Sequence, residues 1–342
     1  MQQSIVWEDL PEDTRTAIQA RTGPIERACT VLEGTNSALA AVVHTSAGRV
    51  FVKGIRTDHP SVVTQQREAA INPHVRTVAP ALLWHLEDVA GWNILGFEHI
   101  EGRHPDYRPG SADLPIVVDV IQTLGAIPCP DISVTDAGQR WASYLDRPAA
   151  VELFAGNTLL HTDYNPENIL ITPGGTARLI DWAWPTRGAA WIDPCCLLLR
   201  LIATGHTIHQ AETWAQRTRA WHTAPAGALE TFTLASARLW QEIAGNDPQP
   251  WKNAWRPQRV NGPLSCEVTM SGVGGAAREG CVGDVCSGQV QQPRRVRRVV
   301  ESVIRYLPRM TSRDTRSGSS PGWLRCASTS PPPSGGVSSI AP

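Results

Sequence analysis

The chain of 342 residues is poor in lysine. Of its 31 basic residues, only Lys53 and Lys252 are lysines, and the others are arginines. Arginine does not replace lysine where chemistry needs a compact ammonium group on a flexible stem. One of the two lysines ends the β-rich run Val50-Phe51-Val52-Lys53. Two interpretations of Lys53 are open. It is either a solvated residue at the end of a strand or a functional residue whose ammonium group binds a ligand.

Several common sequence features are absent. The first residues have neither a basic segment nor a following apolar segment, so we expect no secretory signal. The longest apolar stretch, residues 192–203, is interrupted by Asp193 and Arg200 and is too short to span a bilayer. The eight cysteines show no zinc-ligand spacing, and we expect no metal or redox role for them. The expected compartment is the cytoplasm.

Charge divides the chain into two parts. Residues 1–255 carry 27 acidic and 19 basic side chains, a net charge of −8, whereas residues 256–342 carry 5 and 12, a net charge of +7. The second part is rich in Gly, Ser, Pro and Arg, a composition that favours disorder. Two interpretations of this tail remain open, a basic amphipathic helix over residues 294–307 and a frame change in the coding DNA. Resequencing the gene would distinguish them.

The most informative segment runs from His161 to Asp181. It places Asp163, Asn168 and Asp181 around two apolar runs that are separated by a Pro-Gly-Gly turn. This pattern predicts a β-hairpin that folds Asp181 back beside Asn168. A carboxylate and an amide oxygen are ligands that Mg²⁺ takes together with substrate phosphates. The alternative is that Asp163 and Asn168 are only turn or helix-capping residues.

The string His161-Thr-Asp163-Tyr-Asn-Pro-Glu-Asn168, followed by Ile180-Asp181-Trp182, resembles the aminoglycoside phosphotransferase family, which includes choline-kinase-like enzymes. The resemblance extends from about residue 25 to about residue 255. It implies an α+β, two-lobed protein-kinase-like fold. The expected parts are a nucleotide-binding N-lobe (1–98), a catalytic and acceptor-binding C-lobe (99–255) and a low-complexity basic tail (256–342).

The same resemblance assigns site residues. Glu68 would pair with Lys53 and fix its ammonium against the nucleotide phosphates. Asp163 would orient or deprotonate the acceptor hydroxyl, Asn168 and Asp181 would hold Mg²⁺, and His161 and Asp193 would support the loop. The expected cofactors are therefore ATP and Mg²⁺. The remaining nucleotide contacts are expected from a phosphate loop and from the hinge between the lobes: Gly34, Asn36, Ser37, Glu98 and Ile100.

Local patterns also predict secondary structure. Strands are expected at 38–44, 49–53, 82–86 and 92–97, and helices at 61–70, 115–127, 135–145, 193–203, 209–222 and 227–243. Asp193 is expected to cap the fourth helix, with proline in its first turn. In the family a second Asp often follows four residues later, where this chain has Leu197.

These features predict an ATP-dependent kinase that phosphorylates a hydroxyl of a small molecule. The acidic body would suit a cationic acceptor, such as an aminoglycoside or an amino alcohol. The main alternative is a nucleotide-binding protein without turnover. A protein kinase is disfavoured because no glycine-rich loop or Ala-Pro-Glu motif is present. We expect neither a nucleic-acid nor a membrane partner. A third alternative is a nucleic-acid-associated protein that acts through the basic residues 294–298. The sequence does not indicate the oligomeric state.

Overall fold

The computed structural model describes residues 5–31, 37–246 and 324–328, the last of these as backbone. The expected α+β architecture with a β-rich N-lobe and a helical C-lobe is confirmed. The strands are β1 (Ile25–Val31), β2 (Leu39–Thr45), β3 (Gly48–Arg56), β4 (Leu82–Val89), β5 (Trp92–Glu98), β6 (Thr135–Asp136), β7 (Thr158–Leu160), β8 (Ile169–Ile171), β9 (Ala177–Leu179), β10 (Thr186–Gly188) and β11 (Leu324–Ser328). The α-helices are α1 (Glu12–Thr22), α2 (Val62–Val75), α3 (Leu114–Leu124), α4 (Ala137–Trp141), α5 (Ile192–Ala203), α6 (Ile208–Ala215) and α7 (Ala228–Asn246).

The N-lobe is an antiparallel sheet with the strand order β11-β1-β2-β3-β5-β4. The predicted hairpin of β2 and β3 forms around Gly48, whose φ of 133° is a conformation that glycine adopts readily. Side chains from β2, β3 and β5 pack against α1 and the segment before it in one core, which includes Trp7, Ile18, Val43 and Ile94. This core makes the sheet a rigid support for Lys53 on β3.

The short strand β11 pairs with β1, with Cys29 opposite Cys326 in the register. Strand β11 therefore extends the N-lobe sheet. Its residues belong to the segment 256–342, which we expected from its composition to be a low-complexity tail. The interpretations proposed for residues 256–323 and 329–342, including the amphipathic helix at 294–307 and the basic arm, lie outside the described residues.

The C-lobe is built around α3, α5 and α7. Its core includes Ile121 of α3, Leu198 of α5 and Phe232 of α7. The same core continues into the C-terminal end of α2 through Ile71 and Val75. Because α2 also contacts β3, β4 and β5, this helix links the two lobes. No helix among the described residues is both long enough and apolar enough to cross a bilayer.

Two of the helix predictions are wrong in part. Residues 135–145 do not form one helix, because Thr135 and Asp136 pair with β10 and the Asp136 side chain then caps the five-residue α4 by accepting from Gln139 N at 3.0 Å. The helix expected at 209–222 ends at Ala215, and a 3₁₀ turn follows in which Thr218 provides the cap. In both places a short polar side chain binds backbone N–H groups and so ends or restarts the helix.

Candidate active site

Lys53 lies at the centre of an ionic group that joins the two lobes. Its Nζ is 2.8 Å from Glu68 Oε2 on α2 and 2.6 Å from Asp181 Oδ1, which follows β9. The other oxygen of Glu68, Oε1, accepts a hydrogen bond from Trp182 N at 3.2 Å. Lys53 and Glu68 are both buried, with 8% and 4% of their surface exposed. The three residues named from the sequence are therefore in direct contact.

The charges in this group are unequal, since two carboxylates surround one ammonium. Burial alone would lower the pKa of Lys53, but Asp181 and Glu68 together raise it above its usual value, so the ammonium is charged. Burial raises the pKa of Glu68, against the opposing effect of Lys53. A buried charge is tolerated only when it is paired and hydrogen-bonded.

The predicted hairpin brings Asn168 and Asp181 together. Strands β8 and β9 pair in register from Ile169 opposite Leu179, and Ile180 N donates to Asn168 O at 2.9 Å, directly beside Asp181. Asp181 has a φ of 62°, an uncommon conformation for a residue other than glycine. Such strain persists only where the surrounding contacts fix it, here the ion pair with Lys53. The hairpin thus fixes both the position and the direction of the Asp181 carboxylate.

The loop before β8 presents the Asp163 carboxylate, which is 35% exposed. Its backbone is held by Asp193 of α5, which accepts from His161 N at 3.0 Å and from Thr162 N at 2.9 Å. Tyr164 donates its hydroxyl to the same carboxylate at 2.9 Å. Helix α5 begins one residue earlier than expected, so Asp193 lies inside its first turn and is not the cap. Its carboxylate binds the loop and not its own helix.

His161 is a packing residue in this geometry. Its ring nitrogen Nε2 lies 3.0 Å from Ile180 O, and its ring meets Trp182 edge to face with the centroids 4.7 Å apart. The side chain is 3% exposed, which leaves it no access to a substrate. It therefore joins the Asp163 loop to the Asp181 segment.

Two arginines that the sequence analysis did not assign also contact the Asp163 loop. Arg200 of α5 donates from Nη2 to Asp163 Oδ1 at 2.8 Å, and its side chain is 13% exposed. Arg140 of α4 donates from Nη1 to Thr162 Oγ1 at 2.7 Å. A signal for Arg200 was present, because Arg200 and Asp193 are the two charged residues that interrupt the apolar run of α5. Nothing in the local pattern around Arg140 indicated its contact.

The structure describes only some of the residues expected in the phosphate loop and the hinge. Gly34 and Asn36 lie outside the described residues, and Ser37 has a buried Oγ without a hydrogen-bond partner among the described ones. Glu98 ends β5, and its Oε2 accepts from Ala81 N at 3.3 Å. Ile100 is partly buried in the segment that crosses between the lobes. None of these contacts by itself identifies a nucleotide site.

The donor set beside Lys53 fits Mg²⁺. Asp181 supplies a carboxylate. Asn168 donates from Nδ2 to Asp163 O at 3.3 Å, and no described residue donates to its amide oxygen. Oxygen ligands of these two kinds, few in number, are typical of Mg²⁺ sites that also use substrate phosphates. No group of three or more His, Cys, Asp and Glu side chains suited to a metal ion forms within the described part of the chain.

The fold defined by these elements is that of the kinase-like phosphotransferases. The chain is similar to a choline kinase, LicA from Streptococcus pneumoniae, with 16% identity over 69% of this chain and 92% of that one, at a TM-score of 0.51. LicA in complex with AMP matches at 15% identity, over 70% and 93% of the two chains, with a TM-score of 0.51. A thermostable mutant of the aminoglycoside phosphotransferase APH(4)-Ia matches at 13% identity, over 70% and 94%, also at 0.51. No family model and no curated protein sequence matches the chain.

Proposed function

We propose that this protein is an ATP-dependent kinase that transfers the γ-phosphoryl group to a hydroxyl of a small molecule. The observation that carries the proposal is the position of Lys53 Nζ between Glu68 Oε2 at 2.8 Å and Asp181 Oδ1 at 2.6 Å. A buried lysine held by one carboxylate from a helix and one from a loop after a hairpin is the arrangement with which kinases bind nucleotide phosphates. Similar folds in complexes with AMP, or with ADP and hygromycin B, support nucleotide binding.

The N-lobe would bind the nucleotide, and the C-lobe would bind the acceptor. In the N-lobe, proposed as residues 1–98, Lys53 would bind the α- and β-phosphates while Glu68 fixes its ammonium. In the C-lobe, proposed as residues 99–255, the exposed Asp163 carboxylate would orient the acceptor hydroxyl and accept its proton. His161 and Asp193 would hold the loop that carries Asp163. Catalysis of this kind rests on positioning and electrostatics, without a covalent intermediate on the protein.

Asn168 and Asp181 would hold Mg²⁺, which when bound neutralises charge on the phosphate oxygens. The backbone of Asp181, at a φ of 62°, holds its carboxylate beside Lys53, so the proposed metal-binding group and the proposed phosphate-binding group would share one position. Both would therefore meet the same part of the nucleotide.

The proposal is tested by measuring ADP release with ATP, Mg²⁺ and a library of small hydroxyl compounds that includes aminoglycosides, amino alcohols, sugars and hydroxy acids. Acceptor-dependent ADP release that is lost in Asp163→Asn is the expected result. GTP is assayed in parallel because the site contacts described here do not select the base. Failure of both nucleotides to bind would reject the proposal.

A second candidate, a nucleotide-binding protein without turnover, is favoured by one observation. Arg200 donates to Asp163 at 2.8 Å and so occupies one oxygen of the proposed base. If that contact persists when an acceptor is bound, nucleotide would bind without reaction. ATP-dependent thermal stabilisation without ADP release for any acceptor would support this candidate.

A further inference from the structure

An exposed tryptophan beside the proposed active site lies close to two arginines. Trp184, three residues after Asp181, is 46% exposed, unlike most large apolar side chains of the described residues. The guanidinium carbon of Arg67 lies 5.6 Å from its ring centroid, and that of Arg140 lies 5.9 Å away. We call these three residues the arginine–tryptophan cluster.

Neither arginine of the cluster has an acidic partner among the described residues. Arg140 donates from Nη1 to two neutral hydroxyls, Thr162 Oγ1 at 2.7 Å and Thr186 Oγ1 at 3.1 Å. Burial lowers the pKa of Arg140, yet an arginine side chain remains charged in a protein. Arg67 forms no ion pair with any described carboxylate. Both guanidinium groups thus lie near the Trp184 ring, at 5.6 and 5.9 Å, without an ion pair to a described carboxylate.

The cluster adjoins each part of the proposed site. Arg67 precedes Glu68 on α2, and Arg140 contacts Thr162, the residue before Asp163. Trp184 follows the Asp181 segment. The nearest acidic groups already have partners, because Asp163 binds Arg200 and Asp193 binds two backbone amides and Tyr164. Asp163 and Asp193 act on the Arg140 guanidinium through space and raise its pKa against the effect of burial, but neither binds it directly.

We propose that the acceptor carries an anionic group, a carboxylate or a phosphate, that binds Arg140 and Arg67 beside Trp184, so that its hydroxyl lies at Asp163. This inference rests on the proposed kinase function and narrows its substrate class. The guanidinium fork matches the geometry of both anions. The exposed indole offers a flat surface for a sugar ring or another apolar face. A polycationic aminoglycoside would meet two like charges, so the local charges oppose the acceptor class that the net charge of residues 1–255 suggested.

The test compares acceptors that share one framework and differ in charge. Glucuronate, a glucose phosphate, glucose and glucosamine are assayed for ADP release, with kanamycin as a polycation. We expect kcat/KM to be highest for one of the two anions, and the glucuronate and phosphate arms identify which anion is preferred. In parallel, calorimetry with saturating ADP and Mg²⁺ measures binding of the same compounds, since nucleotide then blocks anion binding at the phosphate site.

The decisive variant is Arg140→Gln. We expect it to lower kcat/KM for the preferred anion by about ten- to a hundredfold more than for glucose, the range for a lost charge-assisted contact. This selectivity ratio separates anion binding from a structural role, because loss of the Thr162 contact alone would lower both values together. Arg217→Gln is the matched control, since Arg217 is exposed and contacts the Trp214 ring away from this site.

The outcomes are distinct. Preferred turnover or binding of neutral or cationic compounds, or an unchanged selectivity ratio in Arg140→Gln, would overturn the inference and leave the kinase proposal intact. Nucleotide binding without Arg140-dependent binding of either anion would also overturn it. Absence of nucleotide binding would remove the kinase proposal itself, and this inference with it.

Discussion

Asp193 and Arg200 lie seven residues apart on α5, two turns along one face of the helix, and both contact the loop that carries Asp163. Asp193 accepts from two backbone amides of the loop, and Arg200 donates to the Asp163 side chain. One helix therefore fixes both the backbone of the loop and the direction of its carboxylate. The apolar residues between them bury the helix in the C-lobe core, so this support is rigid.

The first prediction concerns Arg200. Arg200→Gln removes the charged contact that orients the Asp163 carboxylate, and we expect kcat to fall by about ten- to a hundredfold because a misplaced group loses its alignment with the acceptor. The KM for ATP should not change, since the proposed nucleotide contact is made by Lys53 and not by Arg200. Steady-state kinetics with the acceptor found in the screen measures both values. Arg108→Gln, at an exposed arginine paired with Asp106, is the control. A rise in kcat would instead show that the contact restrains Asp163.

The sequence predicted those parts of the site that depend on local patterns. The hairpin that unites Asn168 and Asp181 follows from two apolar runs around a Pro-Gly-Gly turn. Strand β8 coincides with the first run, at residues 169–171, whereas β9 begins two residues before the second run, at residues 179–180. Lys53 and Glu68 were paired through a family resemblance, which carries three-dimensional information that spacing alone lacks. The two-lobed fold followed from the same resemblance.

The parts that the sequence did not predict depend on tertiary contacts. The helix expected at 135–145 is shortened because Thr135 and Asp136 pair with β10, a strand that comes much later in the chain. The contact of Arg140 with Thr162 depends on where that shortened helix lies. No periodicity in a single segment encodes such a partner. Asp193 and Arg200 could be recognised in the sequence as the charged residues within the apolar run of α5. Their shared contact with the Asp163 loop depends on the three-dimensional structure.

The second prediction concerns Asp163. Asp163→Asn keeps the size of the side chain and can still accept from Arg200, but it cannot accept a proton. We expect turnover to fall by about a hundredfold or more, in the range for loss of a general base, while nucleotide affinity is unchanged. Rapid-mixing ADP release and calorimetry with ADP and Mg²⁺ measure the two effects. Near-normal turnover in this variant would reject the proposed role of Asp163.

The third prediction concerns the buried ion pairs of Lys53. Lys53→Met leaves the carboxylates of Glu68 and Asp181 without their ammonium, and we expect the free energy of unfolding to fall by about 3 kcal/mol, since removing one partner leaves buried charge uncompensated. Urea denaturation measures it. Arg108→Met, which removes an exposed ion pair with Asp106, should cost less than about 1 kcal/mol. Equal losses in the two variants would mean that the Lys53 group is not a stabilising network.

The fourth prediction concerns Asp193. Its carboxylate accepts three hydrogen bonds, from His161 N, Thr162 N and Tyr164 Oη. Asp193→Asn turns one acceptor into a donor that faces these groups, so we expect a loss of about 2 kcal/mol in unfolding free energy. Tyr164→Phe removes one bond and should cost about 1 kcal/mol. Asp58→Asn, at an exposed ion pair with Arg56, is the control in the same urea titration. A loss in Asp193→Asn no larger than in this control would contradict the supporting role of Asp193.

The last prediction concerns Asp181 and metal dependence. Asp181→Ala removes the carboxylate that binds Lys53, and we expect Mg²⁺ to lose its effect on nucleotide affinity, because one of the two proposed oxygen ligands is gone. Calorimetry of ADP binding with Mg²⁺ and with excess chelator measures this difference. In the wild type the chelator should weaken binding, whereas in the variant it should not. Asp146→Ala, at an exposed carboxylate paired with Arg238, should keep the wild-type response. A full Mg²⁺ effect in Asp181→Ala would show that other groups hold the metal.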